Sequence, residues 1–96
     1  MYGLIGSFTA HPGKRDELMA LMTASVGSMP GCLSYIVARD TTDPDKIWVT
    51  EVWDNAESHK GSLSIPLVKE TIAKAMPLIA GFGDQIITEP VGGYGV

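Results

Sequence analysis

The chain has 96 residues, 45% of them hydrophobic but with only two Trp, two Phe and three Tyr, and a formal net charge of -4 at pH 7. One thin core is what that length allows, burying roughly 60–65% of the unfolded chain's surface; residues 1–96 are therefore expected to form one domain, and pairing with a second copy would bury more. The seven Lys and Arg are scattered rather than clustered, which excludes a phosphate-neutralising nucleic-acid interface, and no apolar run approaches the roughly 18 residues a membrane span requires.

Residues 2–9, "YGLIGSFT", are apolar on both faces and meet a Pro-Gly breaker, so they predict a first strand. The run lacks a preceding basic region and is too short and Gly-broken for a signal sequence. After "HPG", "KRDELMALMTASVGSM" places Leu18, Leu21, Met22 and Ser25/Val26 at helical spacing. Asp16 and Glu17 fall in the first turn, where the helix dipole favours acids, and Gly27 followed by "PG" at 30–31 predicts the stop. "CLSYIVARD", 32–40, is a second strand, closed by the turn chemistry of "TTDPDK" and followed at once by "KIWVTEVW", 46–53, as its hairpin partner. Its lone Cys32 cannot close an internal disulfide, which fits a reducing cytosol, and has no adjacent base or activating helix, so it reads as a small buried hydrophobe.

In "DNAESHKGSL", Asp54 or Asn55 is a helix N-cap candidate with Glu57 shortly after. The second helix is expected to start near Pro66, with Val68, Ile72, Ala75 and Ile79 inward and Pro77 kinking or dividing it. "FGDQIITEP", 82–90, reads as the last strand, and the tail "VGGYGV" as Gly-rich and mobile. The order β-α-β-β-α-β predicts an α+β, ferredoxin-like unit: an antiparallel four-stranded sheet with helices on one face.

A sheet covered on one face should alternate apolar and polar residues. Here Ile47, Val49, Glu51 and Trp53 point one way and Trp48, Thr50, Val52 and Asp54 the other, while the first strand sets Tyr2, Leu4 and Phe8 against Ile5. Both faces are apolar, so the uncovered one is expected to pack on a second copy of the same sheet, as a two-fold dimer approaching a closed barrel.

"PGKRDELMALM", "PGCLSYIVARD" and "KIWVTEVWDNAESHKGSLSIPLVKETIAKAMPLI", in that order, resemble the antibiotic biosynthesis monooxygenase family over roughly residues 4–90. This family includes small quinol monooxygenases and belongs to the dimeric α+β barrel group. The resemblance implies a ferredoxin-like protomer dimerised through its sheet, with one pocket between sheet and helices. It also implies oxidation of electron-rich phenolic, quinol or polyketide-type aromatics by dioxygen, without metal, flavin or haem. Such a substrate, once deprotonated, is itself a one-electron donor to dioxygen, so the protein need only bind it, handle a proton, stabilise the anion and exclude water. Haem-degrading members look like they need a histidine on the later helix, an asparagine on the first strand and a tryptophan beside the haem; this chain has Ser7 on that strand and no histidine after His59, which disfavours that activity.

Within this frame His59 is the candidate acid–base group, its ordinary pKa near 6.5 suiting a phenol or enol, against the bland reading of a cap or packing histidine. Tyr35 and Glu51 are the candidates to orient the oxygen being ionised. Tyr35 reads equally as a core tyrosine, and Glu51 as half of a cross-strand pair with Arg39, since a buried carboxylate must be paired, hydrogen-bonded or neutral. Trp53, Phe82, Met22 and Ser7 are the candidate substrate contacts; core packing is the plain alternative for the first three. His11, in the "AHPG" loop, reads as exposed, and two distant histidines without neighbouring Cys or clustered acids do not suggest a metal site. The expected function is a cytoplasmic, homodimeric, cofactor-independent monooxygenase. The alternatives are a non-catalytic small-molecule-binding or stress-response module, or an isomerase on the same fold.

Overall fold

The computed structural model describes residues 1–24 and 29–96. Its elements are β1 (Tyr2–Ala10), α1 (Arg15–Ala24), β2 (Cys32–Arg39), β3 (Lys46–Trp53), α2 (Ala56–Ser62), α3 (Pro66–Ala75), a 3₁₀ turn (Met76–Leu78) and β4 (Ile79–Thr88). The strands form one antiparallel sheet in the order β2-β3-β1-β4. This is the ferredoxin-like α+β arrangement the residue pattern predicts. The readings that used Ser25, Val26 and Gly27 as the last helical turn and its stop lie outside the described residues.

Local chemistry sets each boundary. Gly13 takes a positive φ of 80° at the turn into α1, a conformation glycine adopts without a Cβ clash, and Asp16 and Glu17 occupy the helix's first turn. The β2–β3 turn is built on Asp40, whose Oδ2 accepts the backbone N–H groups of Thr42 and Asp43 at 3.1 and 2.8 Å. Its Oδ1 accepts the Trp48 indole N–H at 2.8 Å, and these bonds, the Trp48 bond foremost, hold the Asp40 carboxyl well below the usual range. Arg15 fastens the same turn to α1 by donating to the Asp43 carbonyl at 2.9 Å. Asn55 is the cap of α2: its side-chain oxygen accepts the Ser58 N–H at 2.8 Å.

Three expectations need correction. The segment from Ala56 to Ser62 is a helix in its own right, separate from α3. Pro77 ends α3 rather than kinking it: a residue with no N–H cannot extend the ladder, and Met76–Leu78 tightens to a 3₁₀ turn. The last strand therefore begins at Ile79, three residues before Phe82, with Ile79 paired to Ala10 across the sheet. Ile79 is thus a strand residue, not part of a helical stripe.

The core lies between the sheet and the helices: Leu18 of α1 and Ala75 of α3 pack on Ala10, Ile47 and Val49, flanked by Phe8, Leu21, Met22, Tyr35 and Val37. The opposite face bears a row across all four strands. Ile36 pairs with Thr50, Thr50 with Ile5, and Ile5 with Ile86. Ile36 and Ile86 are 56% and 51% exposed, so this apolar row lies open. Among the described residues no helix is long and apolar enough to cross a membrane.

Candidate active site

A cavity of about 350 Å³ opens between the helices and the sheet. Its floor is a second cross-strand row, one residue out of phase with the exposed one. Tyr35 on β2 pairs directly with Glu51 on β3, and Glu51 with Leu4 on β1. With a side-chain period of two, Glu51 and Trp53 project from the same face, and both line the cavity with Tyr35. Leu18, Val68 and Ala75 close the apolar side; Met22 and Phe82 stand at its walls.

Trp53 is 1% exposed, and its indole N–H donates to Glu51 Oε1 at 3.0 Å. The Glu51 carboxyl is raised above the ordinary glutamate value, chiefly by burial; the Trp53 hydrogen bond and the neighbouring His59 pull it partly back. Tyr35 is pushed up to about 12 by burial first, then by the Glu51 charge and by Cys32. Its phenol therefore keeps its proton at any physiological pH and acts as a hydrogen-bond donor.

His59 reaches the cavity from α2. Its ring packs against the Trp53 indole in an edge-on contact, centroids 5.4 Å apart, and against Tyr2 at 5.7 Å. Two local features hold it there. The Ser62 hydroxyl donates to the His59 carbonyl at 2.6 Å, and Gly31, with a φ of 84°, lies so close to Ser58 and Asp54 that any Cβ would collide with them. A glycine at the start of β2 is what lets α2 lie down beside the sheet.

The structure thus brings Tyr35, Glu51, Trp53, His59, Met22 and Phe82 to one cavity. Ser7 is not among the lining residues. It pairs with Trp48 on β3, whereas the next residue, Phe8, faces the cavity. Its hydroxyl instead accepts the Asp84 N–H at 2.9 Å across a register shift in the β1–β4 pairing. Arg39 is not the partner of Glu51 either: it pairs in register with Ile47 and reaches Asp16 of α1 at 3.3 Å. Cys32 is half-buried, with Sγ donating to the Ser34 carbonyl at 3.6 Å and its thiol raised by burial and by the Glu51 charge. His11 is exposed.

Sequence reasoning missed Tyr2, Met29, Thr71 and Met76. Tyr2 touches His59 because β1 and β3 pair Tyr2 with Trp53, a register that the strand patterns alone left unset. Thr71 and Met76 line the cavity from helical segments whose phase only the packed structure defines, and Met29 lines it from the turn before β2. Among the described residues, no three His, Cys, Asp or Glu side chains gather where they would hold a metal ion. The arrangement can bind a small aromatic, offer a phenol donor and a carboxyl acceptor side by side, and line the same cavity with an imidazole.

Comparison with known proteins agrees with this architecture. The family model for antibiotic biosynthesis monooxygenases matches residues 1–74. The chain is 57% identical to a provisionally assigned antibiotic biosynthesis monooxygenase from Chloroflexus aurantiacus; the match covers 97% of this chain and 95% of that one, with a TM-score of 0.94. Proteins given the same provisional assignment from Deinococcus radiodurans (24% identity, 97% and 95% coverage, TM-score 0.79) and Nitrosomonas europaea (12% identity, 96% and 100% coverage, TM-score 0.84) share the fold. An uncharacterized protein from Synechocystis sp. is 30% identical over 78 residues, 78% of this chain; the chain spans only 53% of that relative's length.

Proposed function

The chain belongs to the antibiotic biosynthesis monooxygenase family, and from that premise we propose that residues 1–96 form one domain acting as a cytoplasmic, cofactor-independent monooxygenase on a small phenolic, quinol or polyketide-type aromatic. The observation that carries this reading is the Tyr35–Glu51 pair, set side by side in a largely apolar cavity that His59 also lines. A substrate hydroxyl lying against that wall meets a donor in Tyr35 and an acceptor in Glu51. Either Glu51 or His59 takes its proton, and the Tyr35 hydroxyl steadies the resulting oxyanion. Tyr35 itself is excluded as the base, because its phenol is already protonated far above working pH. The aromatic anion then supplies all four electrons that dioxygen needs: one oxygen atom enters the ring system, the other leaves as water, and no external reductant enters the balance. Trp53, Phe82 and Met22 hold the ring and exclude solvent.

We further assign the exposed Ile36–Thr50–Ile5–Ile86 row as the contact with a second copy. Two such faces packed together would cover side chains that otherwise stand in water.

The test is oxygen uptake over a panel of reduced benzoquinones, naphthoquinones and anthrones, with parallel anaerobic runs. Enzyme-dependent uptake on at least one member, lost without air, supports the assignment. Turnover that continues anaerobically would mark an isomerase instead. A His59→Ala variant with full rate on every accepted substrate removes His59 from the mechanism.

A further inference from the structure

The charges lining the cavity say more about its ligand than its shape does. Glu51 and His59 are the only charge-bearing side chains among the described lining residues, and no Lys or Arg is with them. Residues 25–28, Ser-Val-Gly-Ser, carry no charged side chain in the sequence. The His59 ring has Glu51 as its own counter-charge, so the lining offers no surplus positive charge. At the mouth stand Leu63, Ile72, Met76 and Phe82, all apolar and substantially exposed. We infer that this cavity selects an uncharged hydroxy-aromatic of one or two rings and rejects the same molecule when it carries a carboxylate.

The physical reason is desolvation. A carboxylate passing that rim gives up its water for apolar wall, a cost that only a cation or several fixed donors can offset. Of the lining hydroxyls, Ser62 and Thr71 already donate to the His59 and Leu67 carbonyls, which leaves Tyr35 as the hydroxyl donor, and the nearest acid repels a second anion. A neutral hydroxyl, by contrast, is fully served. Tyr35 donates to it, and Glu51, whose hydrogen bond to Trp53 uses Oε1, presents Oε2 to accept from it. Size agrees: about 350 Å³ is near the lower end of the roughly 300–1,000 Å³ of small-molecule pockets.

This inference deepens the functional reading above and rests on it for the substrate's hydroxyl, yet it is tested by binding, without turnover. Isothermal titration calorimetry of the full chain at pH 7.5 would compare 2-naphthol with 6-hydroxy-2-naphthoate, which differ by the carboxylate alone. The expected result is a Kd for the neutral compound at least about 30-fold lower, the equivalent of about 2 kcal/mol. Met76→Lys, a substitution at an exposed rim position, should recover most of that ratio by tightening the carboxylated ligand. Equal affinities in the unaltered protein, or no binding of 2-naphthol up to millimolar concentration, would overturn the inference without any variant. The two readings fail separately. Selective binding of 2-naphthol with no oxidation of any quinol sinks the monooxygenase and leaves the charge selection standing. Carboxylated quinols turned over as fast as neutral ones do the reverse.

Discussion

Trp53 donates its indole N–H to Glu51 Oε1 at 3.0 Å, although the two residues are only two apart on the same strand face. The bond joins the largest fully buried side chain of the core to the acidic group in the cavity wall, so the packing of β3 fixes where the carboxylate sits. Trp53→Phe keeps a ring but deletes the donor. The Glu51 carboxyl then loses the main influence that lowers it and rises further. The acid limb of the kcat/KM profile should move to higher pH, and stability at neutral pH should fall by about 1–3 kcal/mol, the usual cost of a buried polar group losing its partner. An acid limb that stays in place would remove Glu51 from the ionisations that matter.

Glu51 itself should make the protein less stable as pH rises. Its folded pKa lies above the ordinary value, so the folded state holds the proton more tightly than the unfolded chain does. The favourable contribution is complete below the unfolded pKa, near 4.3, and disappears as pH climbs through the higher folded one. Glu51→Gln keeps an acceptor for Trp53 and removes the titration. Urea unfolding should show the variant gaining on the wild type between pH 4 and pH 8. A difference that is flat or opposite in sign contradicts the assigned burial penalty.

Tyr35→Phe separates catalysis from folding. The hydroxyl is a donor rather than a base, so its loss should lower kcat on the order of 10²-fold, the effect of deleting one oxyanion donor, while stability changes little. Because the phenol's pKa is pushed up to about 12, wild-type activity should show no phenol-titration limb below pH 10. Near-wild-type kcat in the phenylalanine variant would reduce Tyr35 to a core residue.

The open face makes a prediction of a different kind. Ile36→Glu places a charge at the β2 end of the exposed row without touching the cavity. Sedimentation should find the wild type as a dimer and the variant as a monomer, or as a dimer weakened by about 100-fold or more in Kd, since a buried unpaired carboxylate costs several kcal/mol. A wild type that sediments as a lone subunit would leave the two-sided apolarity of the sheet without the partner assigned to it.

What could be read from the residues follows what each depends on. Strand faces depend on a local period of two, so Glu51 and Trp53 on one side and Trp48 on the other were already visible in "KIWVTEVW". The Asn55 cap and the Pro66 helix start were equally local. Long-range register was not. The Arg39–Glu51 pairing failed because β2 sets Tyr35, not Arg39, opposite Glu51. Ser7 was offered as a ligand contact although Phe8, already given the Leu4 side, put Ser7 by parity on the other. Tyr2 escaped notice because its meeting with His59 needs α2 laid beside β3 with Tyr2 in register with Trp53, which depends on Gly31 and on a short helix whose polar sequence carries little apolar signal.

The central claim is that this cavity transfers one atom of dioxygen to an aromatic whose hydroxyl rests between Tyr35 and Glu51. Turnover of an accepted quinol under ¹⁸O₂, followed by mass spectrometry of the product, tests it most directly. The account predicts one ¹⁸O atom in the product, with labelled product formed more slowly in Tyr35→Phe. Product formed without label, or formed equally well in the absence of oxygen, would contradict it.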